Sequence, residues 1–183
     1  EKSGKNILEK IYMLCQAVPM YDKIHREKRA FQGLSSVINT IVKMIELQKA
    51  EQKQGDLLLV CGGSAIQKAV NQREMQAGKD IAEGITQMID QYPGLFPADT
   101  AERKINQAVF YGQAMVRFCE EYEEKKAEEF YGRSLECLEK LSEDDGYVER
   151  SRQIRRVLLH NYLGTKRNSE PQETLKLARE LEN

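Results

Sequence analysis

The sequence predicts an all-α protein built from stacked antiparallel helical pairs. Three observations lead there. Almost every apolar segment of the 183 residues repeats at intervals of three and four, the period of a helix with one buried face. Short polar, glycine or proline breaks separate these segments, and no stretch longer than Leu57–Val60 suggests a strand. Between Ala108 and Leu141 two amphipathic segments are joined by a very short turn, with similar pairs on both sides. One such pair cannot bury its apolar face alone, so successive pairs are expected to stack into one domain over residues 1–183. Residues 1–50 hold the N-terminal helices, including one long helix, and residues 56–183 the helical pairs. The alternative architecture is an irregular helical bundle.

In chain order, the first helix spans Asn6 to Ala17. Ile7, Leu8, Ile11, Tyr12, Leu14 and Cys15 form its stripe, and Pro19 ends it. The second, Tyr21 to Ala50, reaches about 45 Å at ~1.5 Å per residue. Ile24, Phe31, Ile38 and Ile45 recur every seven residues with Leu34 and Ile41 between them, a coiled-coil-like seam. Val37, Val42, Met44 and Leu47 broaden it, which favours a face packed on neighbouring helices over a free zipper. A homodimer through this long helix is the other outcome.

Polar Glu51 to Gly55 reads as a turn, followed by a helix from Leu57 to Gln76. Gly78 separates this from Asp80–Gln91, and Tyr92-Pro93-Gly94 stops the chain, with Pro97 keeping the next loop out of helix. Asp99 and Glu102 form a capping-box pattern that opens the helix carrying Ile105, Ala108, Val109, Gly112, Met115, Val116 and Cys119. Its partner carries Ala127, Phe130, Tyr131, Ser134, Leu135, Leu138 and Leu141. After a turn at Asp144-Asp145-Gly146, a helix runs from Tyr147 to Tyr162 and stops at Gly164. Ser169 and Gln172 make a second capping box, with Pro171 in the tolerated first turn, before Leu175, Ala178 and Leu181.

Composition narrows the function. Charged residues are 31% and apolar ones 40%, a balance that buries a core rather than leaving the chain disordered. The net charge of −1 gives no bulk attraction to nucleic acid or anionic membrane. No apolar run approaches the ~20 residues that span a bilayer. Cys15, Cys61, Cys119 and Cys137 form no CxxC pair and only His25 and His160 accompany them, so no zinc site is expected. Each cysteine lies in or beside an apolar stripe and is expected to be a reduced core thiol, consistent with a cytoplasmic protein.

Leu57–Val60 followed by Cys61-Gly62-Gly63-Ser64 has some character of a strand, a glycine turn and an anion-binding helix start. It lacks the spaced glycines of a dinucleotide fingerprint and the Lys-Ser/Thr of a P-loop, and one strand builds no sheet. A helix running through Gly62-Gly63 as a close-packing point is therefore expected. Two basic clusters stand out: Lys23, His25, Arg26, Lys28 and Arg29, and Arg150, Arg152, Arg155 and Arg156. Their arginines are able to grip phosphates or acidic peptides. The plainer expectation is a solvated face paired with the acidic run from Glu120 to Glu129. Neither cluster interleaves aromatics, so nucleic acid is not an expected partner. His25 and His160 have no recognisable nucleophile nearby, and Ser64 and Ser134 lack a nucleophile elbow. No catalytic, metal or cofactor-binding residues are assigned, and enzyme activity is not expected.

The unit from Tyr111 to Leu138 resembles a tetratricopeptide repeat. Tyr111, Ala114, Met115 and Phe118 sit where that family's first helix places an aromatic, a leucine, a small residue and a tyrosine. Ala127, Tyr131 and Ser134 sit where the second helix places small, aromatic and small residues. Met115 departs from the usual Gly or Ala, and no proline closes the unit. Ile81, Ile85 and Met88 precede Ala127, Tyr131 and Ser134 by 46 residues, against a family period of 34. That spacing is similar to the elongated helical repeats of bacterial regulatory proteins. The resemblance implies a tetratricopeptide-like superhelix that acts as a protein–protein interaction module, taking a peptide or partner helix in its groove. Tyr111, Gln113, Arg117, Arg152 and Arg155 are the candidate partner-binding residues. The alternative is a regulatory or effector-sensing domain of a larger bacterial signalling or transcription protein. The opening Glu1, in place of Met, adds the expectation that a neighbouring domain is missing.

Overall fold

A computed structural model describes residues 13, 27–72, 74–120, 123–141, 146–166, 172 and 179. Among them are six α-helices, one short 3-10 turn and no strand, so the protein is all-α. By contacts the chain divides into two compact units, Glu1–Pro97 and Ala98–Asn183, which meet at the end of the Pro93–Pro97 breaker. The first expected helix (6–17), Ile24 of the seam and the Ser169/Gln172 capping box lie outside the described residues, apart from helical Met13 and Gln172.

In the N-terminal unit, α1 (Glu27–Glu46), α2 (Gln52–Asn71) and α3 (Met75–Gln91) follow one another, and α2 packs on both neighbours. The heptad-like residues Phe31, Leu34, Ile38, Ile41 and Ile45 are all buried within the chain, as a packed face requires and a free zipper does not. The helix ends at Glu46, earlier than expected, because Gln48 takes a left-handed conformation (φ 53°) and the Lys49 N–H returns to the Met44 carbonyl.

The expected turn at Glu51–Gly55 is the first turn of α2. Gln54 Oε1 accepts from the Glu51 N–H at 2.8 Å, satisfying a backbone donor at the helix entry. Gly55 serves close approach: a Cβ there would overlap the carbonyl oxygen of Leu95, in the 3-10 turn Pro93–Leu95. α2 then runs through Gly62-Gly63, both buried, so no phosphate loop forms. The break expected at Gly78 comes earlier, between Asn71, which ends α2, and Met75, which opens α3, and Gly78 is a buried residue inside α3.

In the C-terminal unit, α4 (Ala101–Glu120), α5 (Glu124–Glu139) and α6 (Val148–Lys166) each pack on the other two, with α4 and α5 forming the expected hairpin. Small residues bring the pair together: Ala108, Ala114 and Ala127 are fully buried, and the Ser134 hydroxyl donates to the Ala108 carbonyl at 2.7 Å. Aromatics fill the remaining space. Phe118 stacks on Phe130 at 5.2 Å, and Tyr111 meets Phe130 at 6.3 Å. Tyr131 lies flat on Tyr162 of α6, with centroids 4.4 Å apart and planes 6° apart. The helix does not stop at Gly164 but continues to Lys166.

The two hairpins are built alike. Gln52 and Ala101, which open α2 and α4, are 49 positions apart, as are Met75 and Glu124, which open α3 and α5. Glu74 (φ −85°, ψ 64°) and Glu123 (φ −85°, ψ 68°) enter the second helices with one conformation. Each returns its N–H to the carbonyl five residues back, Ala69 and Phe118 respectively. Burial follows the same offset. Leu58, Leu59, Cys61, Gly62 and Gly63 are buried, as are Gln107, Ala108, Phe110, Tyr111 and Gly112, while Val60 and Val109 are both exposed.

Candidate functional site

The candidate site is a groove between α4 and α6 in the C-terminal unit. α4 contributes Val109, Gly112, Gln113 and Val116, which share one face at helical spacing. α6 contributes Arg150, Gln153, Ile154, Val157, Leu158 and Asn161. Gly112 sets the separation, since a Cβ there would come within 2.7 Å of Leu158 Cδ2. The two helices meet closely at that point and leave an open cavity of about 320 Å³.

The groove has an apolar floor with polar groups around it. Val109 and Val157 are among the bulky apolar residues left exposed, at 38% and 56%, and Val116 and Ile154 are half-buried beside them. Gln113, Gln153 and Asn161 add amides, and Arg150 adds an exposed guanidinium. None of these side chains is a nucleophile or a general base.

Of the expected partner-binding residues, only Gln113 lines this groove. Tyr111 and Arg117 are corrected to core positions, with 4% and 0% exposure. Tyr111 lies on the side of α4 that faces α5, where it contacts Phe130 and the Arg133 guanidinium sits 5.8 Å from its ring centre. Arg152 is exposed and pairs with Glu149 of its own helix at 3.6 Å; Arg155 is half-buried, and neither lines the groove. In the acidic run, Glu129 pairs with Lys126 and Arg133 on α5 itself. Of the other lining residues, Arg150 belongs to the basic cluster noted in the sequence, whereas Val109, Val116, Val157 and Asn161 carried no binding expectation. The signal was present in the spacing of Val109, Gln113 and Val116, but the two valines also suited a core stripe.

Other features offer less. Among the described residues no group of three or more His, Cys, Asp or Glu converges in a metal-like cluster, and no helix is long and apolar enough to cross a membrane. Cys61, Cys119 and Cys137 are thiols. Burial pushes Cys137 up to about 11, and its Sγ lies 3.8 Å from Gln107 Oε1, so it is a poor nucleophile. A polar concavity along α1, lined by Gln32, Ser35, Ser36, Asn39, Thr40 and Lys43, is the surface of one helix, and its Thr40 hydroxyl donates back to the Ser36 carbonyl. No family model, curated protein or solved structure matches this chain.

Proposed function

We propose that this chain is a protein–protein interaction module that binds a peptide in the groove between α4 and α6. The observation that carries this is an open groove with exposed Val109 and Val157 on its floor, bordered by amides and one arginine. Concave apolar surface with a few converging polar groups is the usual form of a binding site. The stacking of α6 against a helical hairpin agrees with the tetratricopeptide-like architecture inferred from Tyr111–Leu138, in which small residues admit helices and aromatics fill between them.

Panning a random-peptide display library against the native chain and a Val109→Asp/Val157→Asp variant tests this. Both valines are already exposed, so the variant should keep its helical circular dichroism while losing the selected peptides. Failure to enrich any peptide, or equal capture by the variant, would rule out peptide binding in this groove.

A second function, an effector-sensing domain of a larger bacterial regulatory protein, is favoured by the hairpin spacing. The interval of 49 residues between α2 and α4 exceeds the 34 of regular tetratricopeptide arrays. Thermal-shift screening with small metabolites separates the two functions: stabilisation by a metabolite with no peptide enrichment supports the second.

A further inference from the structure

We propose that the α4–α6 groove takes an extended peptide segment presenting an apolar side chain beside a carboxylate, and that Arg150 meets that carboxylate. This rests on the peptide-binding function above and narrows it, because it excludes a partner helix as the occupant.

The amides argue for an extended backbone. Gln113, Gln153 and Asn161 each carry an NH₂ donor and a carbonyl acceptor, the complement of a peptide unit. A helix has already bonded its interior N–H and C=O groups to one another, so it offers those amides little backbone to grip. An extended segment presents N–H and C=O groups along its length.

The charge of the lining argues for the carboxylate. Among the described residues that line the groove, Arg150 is the only ionisable one, and no acidic side chain stands beside it there. The guanidinium is a planar fork that fits a carboxylate with two parallel hydrogen bonds. Arg152, two residues on, is directed to Glu149 instead. Val109, Val116, Ile154, Val157 and Leu158 give an accompanying side chain an apolar seat. Because the whole chain carries only −1, this attraction is local and acts on register and specificity more than on encounter.

The test uses the full chain and fluorescence polarisation with N-acetylated hexapeptide positional libraries. One library has a free C-terminal carboxylate and the other a C-terminal amide; stapled helical peptides are measured beside them. The expected result is selection of Leu, Ile, Val or Phe next to a carboxylate, weakened by added salt. Persistence of the acidic preference in the amidated library identifies an Asp or Glu side chain, and its restriction to the free-acid library identifies a chain terminus. Arg150→Gln should weaken acidic hexapeptides about tenfold while leaving their Asn or Gln counterparts unchanged. Gln113→Leu/Gln153→Leu should weaken hexapeptides of either kind. Stronger binding of the helical peptides, or an equal effect of Arg150→Gln on acidic and neutral hexapeptides, would overturn the inference while leaving peptide binding intact. Absence of binding by every hexapeptide and helix would overturn both.

Discussion

Two glycine-to-alanine substitutions in the N-terminal unit should shift stability in opposite directions. Both Gly55 and Gly84 lie in helices, so each substitution gains up to about 1 kcal/mol from helix propensity. At Gly84, in α3, nothing lies within 4 Å of the new methyl, and Gly84→Ala should stabilise by about 0.5–1 kcal/mol. At Gly55, in α2, the methyl meets the backbone carbonyl of Leu95, which a side-chain rotation cannot move. Accommodation requires the Pro93–Leu95 turn to shift, with Phe96 (4% exposed) next to it. Overpacking of this kind costs ~1–3 kcal/mol and more against backbone, so Gly55→Ala should be destabilising by about 1–2 kcal/mol net. The two variants should thus differ by about 1.5–3 kcal/mol. Urea unfolding followed by circular dichroism at 222 nm reads the difference directly, and tyrosine emission gives a second probe in a chain without tryptophan. Equal stabilisation by both substitutions would refute the close approach of α2 to the turn.

Three further outcomes are expected. Tyr131→Ala removes a half-buried ring stacked on Tyr162 and should cost about 2 kcal/mol, below the ~3–5 of a fully buried aromatic; a loss under ~0.5 kcal/mol in urea denaturation would place the ring outside the packing. The Cys137 thiol is raised from 9.0 to about 11 by burial, so the folded state disfavours its ionisation. Its contribution is fully present below pH 9 and is lost as pH rises from 9 to 11, where the unfolded thiol ionises first. The native chain should therefore lose more stability than Cys137→Ala across that window in denaturation at stepped pH, and parallel curves would contradict the assignment. Charge reversal by Arg152→Glu/Arg155→Glu should leave both the circular dichroism and the binding of groove-selected peptides within twofold of native, because neither residue lines the groove; loss of binding would relocate the contact surface to that face of α6.

The 3.6-residue period made the helices legible, down to the passage of α2 through Gly62-Gly63 and the covering of the Phe31–Ile45 seam. Helix ends were harder, for local reasons. Glu51 is not a favoured cap residue, and Gly55 looked like a turn because its purpose, contact with Leu95, depends on chain forty residues away. At α4 the cap lies one residue beyond the expected Asp99. The Thr100 hydroxyl accepts from the Arg103 N–H at 3.3 Å, while Asp99 binds the Arg103 guanidinium, which holds its carboxyl below the usual carboxylate value. The binding face depended on the phase of one helix. α4 carries apolar residues around most of its circumference, and spacing alone does not say which stripe α5 covers. Tyr111 went to the side that α5 covers, Arg117 to another buried position, and Val109, Gln113 and Val116 to the groove, a choice made by tertiary packing.

The shared turn at Glu74 and Glu123 also bears on how the chain acquires its structure. Each hairpin closes across only three linking residues, with contacts formed by segments that are neighbours in sequence. Loop closure of that length costs little entropy, and proteins dominated by such contacts fold fastest. During synthesis, α2 and α3 can pair before α4 has left the ribosome, and α4 with α5 in turn. Ribosome-arrested chains just long enough for Gln91 to have cleared the exit tunnel should therefore already show protection from protease across Gln52–Gln91, before the groove-forming α6 has emerged.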